Sequence, residues 1–369
     1  MKQRNYNMDI FRAMSILLIV IYHIWVLSGS KAIEYRFIYD IVALGGEIGV
    51  TAFFALSGYG IYCSLSSQEN TDGKIGFKKY INKRCKRILP QYYICILITL
   101  LLMDGAYYLT RGHLLDIVSH ILLVHNFILT CHGSINGVLW TMGIIFQFYL
   151  VAIPLYRFLK KRGIIALLSS VLFTIIVKAL IYSVLSRKGL TGYIFFVMGR
   201  QLFTALDNFI VGMYVAYVIT EKGVNIKKIQ GWIILVLSVV FLDIVCRLGW
   251  KYGIHTNNLS GYTWHSLVGI TIGGIMCGIS FVSFDFIKPI KSMLLWISKY
   301  EYGIYLWHLM LINNLLAKSE FIIMLKEKNI QIFYYVFVMG LCILVGYLMT
   351  IMTDSIYDKC RSISHRSQK

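Results

Sequence analysis

Apolar runs of about 18 to 25 residues follow one another along this chain, separated by short polar connections. A helix rises 1.5 Å per residue, so each run is long enough to cross a hydrocarbon core of roughly 30 Å. The runs are continuous rather than alternating, and the chain holds only 3 prolines, which favours helical spans over barrel strands. The pattern predicts spans near residues 9–28, 41–63, 89–109, 140–159, 163–185, 192–220, 229–249, 264–284, 293–316 and 331–353. The expected fold is all-α, a polytopic membrane protein of about ten transmembrane helices. Residues 1–369 read as a single membrane domain, with no visible internal repeat, low-complexity stretch or soluble module.

The polar connections alternate in charge. Lys2 with Arg4, the cluster from Lys74 to Arg87, Lys160 to Arg162, Lys222 to Lys228, Lys288 with Lys291, and the stretch from Lys359 to Lys369 all fall on one side. The positive-inside rule makes that side cytoplasmic. Both termini are then inside, with 63–88 a cytoplasmic basic loop and 354–369 a cytoplasmic tail. Residues 110–138 fall on the outer side as a re-entrant or interfacial segment, because counting 114–131 as a full span would put Lys160 to Arg162 outside. His120 and His125 within it lie five apart, about 140° around a helix, so they are not expected to share a face as metal ligands would.

Composition agrees with the periodicity. With 58% hydrophobic and 14% charged residues, the chain has more apolar surface than a soluble core of 369 residues would bury, so the bilayer is its expected partner. The net charge of +19 sits in the short connections, which points to topology rather than nucleic acid. The 8 cysteines are scattered, without metal-ligand spacing or a paired framework, and no metal is expected. Lys2 and Arg4 ahead of an apolar run look like a secretory signal. Ionisable residues interrupt that run and no small-residue cleavage site follows, so it is expected to stay as the first helix.

Those interruptions carry the first candidate chemistry. Arg12 and His23 are eleven residues apart, within about 20° around a helix and roughly 16 Å apart along it, and Asp9 lies within about 60° of the same stripe. Ionisable groups at membrane depth cost several kcal/mol and usually face an interior site. Arg84 and Arg87 are three apart and share a face if their segment is helical, as phosphate recognition would use and as anionic headgroups would also explain. In FFALSGYG, residues 53–60, Ser57 and Gly58 permit close helix approach or exposure of the backbone to a ligand. His308, beside Tyr305 and Trp307, fits either an interfacial aromatic belt or a site.

Taken in order, Asp9, Arg12 and His23, then FFALSGY, then Arg84 and Arg87 followed by ILP, then IYLWH, resemble the membrane acyltransferase 3 family over essentially the whole chain. The resemblance implies integral-membrane O-acyltransferases of cell-surface carbohydrates. No resident cofactor is implied. The donor would be a cytoplasmic acyl-CoA, most often acetyl-CoA, and the acceptor a hydroxyl on a glycan or lipid-linked sugar. It assigns Arg12 and His23 to the active site and Arg84 with Arg87 to the donor's phosphates. Asp9, Glu47, Ser57, Trp140, Gln147, Tyr305 and His308 are expected to support the site or bind substrate. One departure stands out. Where the family usually writes an acidic pair in LWSLSVEEQFYL, this chain has Ile145 and Phe146, and Thr51 stands where the family often has Asp. Glu47 or Gln147 is then the candidate replacement. A transporter or glycolipid exporter, or a catalytically degenerate relative, are the alternative readings.

Overall fold

The computed structural model describes residues 5–29, 36–110, 112–283, 288–316, 320 and 331–366. Among them the chain is helical, with no strand. In order the helices are α1 Tyr6–Leu27, α2 Arg36–Ala43, α3 Gly45–Asp72, α4 Phe77–Thr99, α5 Gly105–Tyr108, α6 Leu114–Ile121, α7 Trp140–Arg162 and α8 Ile164–Arg187. They continue as α9 Tyr193–Met198, α10 Leu206–Thr220, α11 Lys228–Tyr252, α12 Leu259–Ile279, α13 Lys288–Met310 and α14 Gln331–Arg366.

Seven of these are long and apolar enough to cross a membrane: α1, α3, α4, α7, α8, α11 and α14. Three further expected spans take another form. The segment 192–220 is broken into the six residues of α9, a turn, and the fifteen of α10, while α12 and α13 carry polar and charged residues within their length. The reason is position. A helix surrounded by protein need not be uniformly apolar, because its neighbours, not lipid, satisfy it. Two-thirds (67%) of the most apolar window of α3 is buried against protein, but only 22% of that of α8 or α11. α8 turns Leu168, Leu172 and Leu180 outward, as a lipid-facing helix does.

α3 is the central post, packed against α1, α10 and α12, while α13 closes on α1 and α14 covers α13. Small residues bring the post close to its neighbours. A Cβ at Gly58 would collide with the backbone carbonyl of Phe209, and one at Gly212 with that of Ala55. The end of α12 is tied to the start of α1 by the Asn7 amide, which donates to the Ile279 and Val282 carbonyls at 2.8 Å each.

Two connections differ from expectation. The basic stretch is not an extended loop: α3 continues to Asp72 and α4 begins at Phe77, so the cations of 78–87 ride on the first turns of a helix. The helical part of 114–131 is only eight residues of α6, about 12 Å long, after which Leu123 takes a positive φ of 58° and the chain reverses. That reversal overturns the expectation for His120 and His125. Their rings stack at 3.8 Å and 13°, because the helix that would have separated them ends at Ile121. Burial holds both imidazoles neutral, pushed down to about 4 and about 3.

Candidate active site

α1 and α13 meet along two matched stripes. On α1, Arg12 Nη1 donates to Asp9 Oδ1 at 2.9 Å, and Arg12 Nε faces Glu301 Oε1 of α13 at 3.4 Å. Two turns further along α13 is His308, whose Nε2 lies 3.2 Å from His23 Nδ1. Glu301 and His308 are seven residues apart, within about 20° around a helix, so one face of α13 serves both polar residues of α1.

The hydrogen bonds fix the tautomers. His308 Nδ1 lies 2.7 Å from the Tyr305 carbonyl and 3.1 Å from that of Ile304, so it is the donor nitrogen. A neutral imidazole has one N–H, so His308 Nε2 accepts, and the proton between the two rings belongs to His23 Nδ1. His23 Nδ1 is also 2.9 Å from the Ile19 carbonyl, a second acceptor for the same proton. The lone pair of His23 is thereby left on Nε2. His308 is fully buried, so it is no belt residue but the group that orients His23.

Three cavities adjoin one another between the basic surface and His23. An open mouth of about 530 Å³ is lined by Lys79, Lys83, Arg84 and Arg87 with Ser64, Ser67 and Gly60. It shares Gly60, Arg84 and Arg87 with a narrower passage of about 110 Å³, walled by Arg12, Ser57, Tyr149 and Glu301. The passage in turn shares Val50 and Tyr305 with an inner chamber of about 130 Å³ that contains His23, Tyr22, Glu47, Trp140 and Arg200. Arg84 is buried between the rings of Tyr80 and Tyr149, at 5.7 and 5.8 Å, while Arg87 is exposed. Where passage and chamber adjoin, the Tyr305 hydroxyl is held by Thr141 Oγ1 at 2.7 Å and the Val138 carbonyl at 3.0 Å.

In the chamber, Glu47 of α3 gathers three donors: His265 Nε2 at 2.9 Å, His255 Nε2 at 3.2 Å, and the Arg200 guanidinium. Arg200 also lies over the rings of Phe196 and Trp140, at 4.6 and 5.0 Å. Burial, reinforced by the Arg200 and Lys178 charges, pushes the His255 imidazole down to about 2, so it binds Glu47 as a neutral donor. The ligand atoms of Glu47, His255 and His265 lie within 4.8 Å of one another, a spacing one metal ion can span. The guanidinium against Glu47 already neutralises that carboxylate and would repel a cation, so the side chains form an ion-paired cluster instead. Lys178 of α8 and Asp207 of α10, both fully or almost fully buried, sit behind it as a second pair of opposite charges.

Of the expected site residues, Arg12, His23, Glu47, Ser57, Arg84, Arg87, Trp140 and Tyr305 line the cavities, and Asp9 and His308 hold Arg12 and His23. Gln147 goes elsewhere. Its amide donates to Asn126 Oδ1 at 2.9 Å, and Asn126 donates on to Gln201 at 2.8 Å, so these amides clasp the 114–139 segment to the bundle. Ile145 lines the passage as an apolar wall. Sequence reading missed Arg200, His255, His265, Glu301, Lys178 and Asp207. Lys178 carried a signal, a lone cation in an apolar span, of the kind that singled out Arg12. His255 and His265 carried none, being 208 and 218 residues from Glu47.

Lipid-facing apolar helices around a core of buried ionisable groups define a multi-pass integral membrane protein with a histidine-centred interior site. The Acyl_transf_3 family model, described as an acyltransferase domain, matches residues 5–351, and the chain belongs to that family. It is 25% identical over 337 residues to "Putative peptidoglycan O-acetyltransferase YrhL" of Bacillus subtilis, an alignment covering 82% of this chain and 48% of that protein. It is 27% identical over 338 residues to "O-acetyltransferase OatA" of Staphylococcus aureus, covering 82% and 49%. The chain thus spans about half the length of the curated relatives it matches. No solved structure matches it.

Proposed function

We propose that this protein is an O-acetyltransferase that moves an acetyl group from acetyl-CoA, entering at the basic mouth, to a carbohydrate hydroxyl in the chamber beside His23. The observation that carries this reading is the row of adjoining cavities from four cations to the Nε2 of a half-buried histidine. The exposed ammonium and guanidinium groups suit the donor's phosphates, and the narrow passage suits an extended thioester arm. The basic end of the bundle is then the cytoplasmic end, with both termini on that side. The relatives' names add acetyl as the group and, for one of them, peptidoglycan as the acceptor.

The chemistry follows from the tautomers. His23 Nε2 takes the proton of the acceptor hydroxyl as its oxygen bonds to the thioester carbonyl carbon. The C–S bond breaks as the tetrahedral intermediate collapses, and the imidazolium returns its proton to the departing thiolate. His308 Nε2 accepts the hydrogen bond from His23 Nδ1–H throughout, which stands in for the carboxylate that Ile145 and Phe146 do not supply. Arg12, held between Asp9 and Glu301, borders the passage on the donor's route.

The test compares membranes containing native protein with membranes containing His23→Ala, supplied with acetyl-CoA labelled in the acetyl group. Label in alkali-labile esters of the extracted cell-wall glycan is expected to fall about 10²- to 10⁴-fold, the range a general base contributes. Equal label in both preparations sinks the reading.

A further inference from the structure

The chamber has a second neighbour. At the far end of α4 from the basic mouth lies an open groove of about 730 Å³, lined by Tyr107, Tyr108 and Tyr193 with His113, Asp116 and Ser134. Its chemistry is the reverse of the mouth's. No lysine or arginine is among its described lining residues, and the one carboxylate, Asp116, takes a hydrogen bond from His113 Nδ1 at 3.1 Å. Burial alone would raise the Asp116 carboxyl, but hydrogen bonds from Ser134, His113 and Cys131 hold it below the ordinary range. Among its described lining residues none is a fixed cation of the kind the mouth presents.

It offers two other things. Tyr193 and Tyr107 are 54% and 48% exposed, each backed on one side by another ring, Phe196 at 5.8 Å and His113 at 3.8 Å. Asp116, Thr130 and Ser134 line the same space with acceptors and hydroxyls. Broad apolar ring faces beside hydroxyl-binding groups match a pyranose, whose C–H faces stack on aromatic rings and whose hydroxyls need partners at the edge.

The groove and the chamber share a wall. The segment from Cys131 to Trp140 contributes Cys131, Gly133 and Ser134 to the groove, and Gly137, Val138 and Trp140 to the chamber. Across it the Tyr193 hydroxyl meets His132 Nδ1 at 3.3 Å, and the His132 ring stacks on Trp140 at 5.2 Å and 19°. From Tyr193 the way to the chamber that holds His23 runs through the rings of His132 and Trp140, beside Phe196, which stacks on Tyr193 at 5.8 Å and lines the chamber.

We propose that this groove is the docking site of the acceptor, a pyranose chain, which approaches His23 from the end of the bundle opposite the donor. The proposal rests on the acetyltransfer reading only for the word acceptor, since glycan binding can be measured without turnover.

The full-length protein in detergent is titrated separately with CoA and with two carbohydrate probes, lysozyme-cut peptidoglycan fragments and chito-oligosaccharides. Native protein is expected to bind at least one carbohydrate probe, and Tyr193→Ala and Asp116→Asn each to weaken that binding tenfold or more while the Kd for CoA moves less than twofold. Native protein that binds CoA but neither carbohydrate overturns the proposal, as does carbohydrate binding that both variants leave intact. Should a variant lose CoA binding as well, Tyr193→Phe decides: it keeps the ring, and binding within about threefold of native supports the stacking role, whereas a tenfold loss overturns it. Carbohydrate binding without acetylation would keep the groove and sink the acetyltransfer reading instead.

Discussion

The basic mouth and the inner chamber both hold charged side chains, but they hold them in opposite ways. The mouth's Lys79, Lys83, Arg84 and Arg87 come from three turns of one helix, and three of the four are exposed to water. The chamber's Glu47, Arg200, His255, His265, His23 and its partner His308 come from α3, α12, α1, α13 and two connecting segments, and they meet one another inside the protein. The mouth is a charge presented to water, and its contribution to folding is small because water already solvates it. The chamber is a polar network around the Glu47–Arg200 ion pair, whose members lose their solvation on folding and are held by one another, by backbone carbonyls and by aromatic faces. Binding is expected to tune with the first and stability with the second.

The sharpest way to break this distinction is Glu47→Gln. The change removes the charge that pairs with Arg200 and leaves the shape nearly unchanged, so a buried guanidinium loses its counter-ion. Breaking a buried pair from one side costs about 3–5 kcal/mol. Thermal unfolding in detergent, followed by a fluorescent thiol probe that reaches the buried Cys95 and Cys246 only on unfolding, should show a clear fall in midpoint. A midpoint unchanged from native would mean that the chamber's charges are solvated like those of the mouth.

Second in size is Arg84→Ala combined with Arg87→Ala. Hydrogen bonds to charged groups contribute about 1.5–3 kcal/mol each, so the loss of either should raise the KM for acetyl-CoA roughly 10- to 100-fold. The unfolding midpoint should stay close to native. Arg84 is the more informative of the two, because it is buried between Tyr80 and Tyr149 and lines both mouth and passage. If Arg84→Ala lowers stability as Glu47→Gln does, without raising KM, that arginine belongs with the chamber's structural charges.

The same contrast explains what could be read from the chain beforehand. Asp9, Arg12 and His23 sit on one helix, where 100° per residue turns spacing into geometry, and the same holds for Arg84 and Arg87. The chamber was partly hidden because its contacts cross between elements. Glu47 had no partner until α12 and the 253–258 turn folded beside α3, and Arg200 falls in the break between α9 and α10, where no periodicity operates. Gln147 had the right position along α7, but its amide is taken up by Asn126. The expected spans at 192–220, 264–284 and 293–316 are the elements that wall or support this interior, and that is why they are broken or polar rather than uniformly apolar. Their sequences were legible as helices and not as membrane-facing ones, since what relieves them of that requirement is protein packed around them.

The smallest expected effect separates the two regions without any substitution. The Debye length shrinks from about 10 Å at 0.1 M salt to about 3 Å at 1 M, which screens charges reached by solvent and leaves enclosed ones nearly untouched. Over that range the KM for acetyl-CoA should rise about three- to tenfold, while kcat at saturating donor changes less than twofold, because His23, hydrogen-bonded to His308, works in an enclosed space that mobile ions do not enter. A fall in kcat with KM unchanged would reverse the assignment. It would mean that ions reach the chamber, and that Arg12, which borders the passage and is paired to both Asp9 and Glu301, is screened along with it. Repeating the titration in the Arg87→Ala protein then identifies the origin of the slope. With the exposed cation removed, the dependence of KM on salt should flatten, and an unchanged slope would assign it to Lys79 and Lys83 instead.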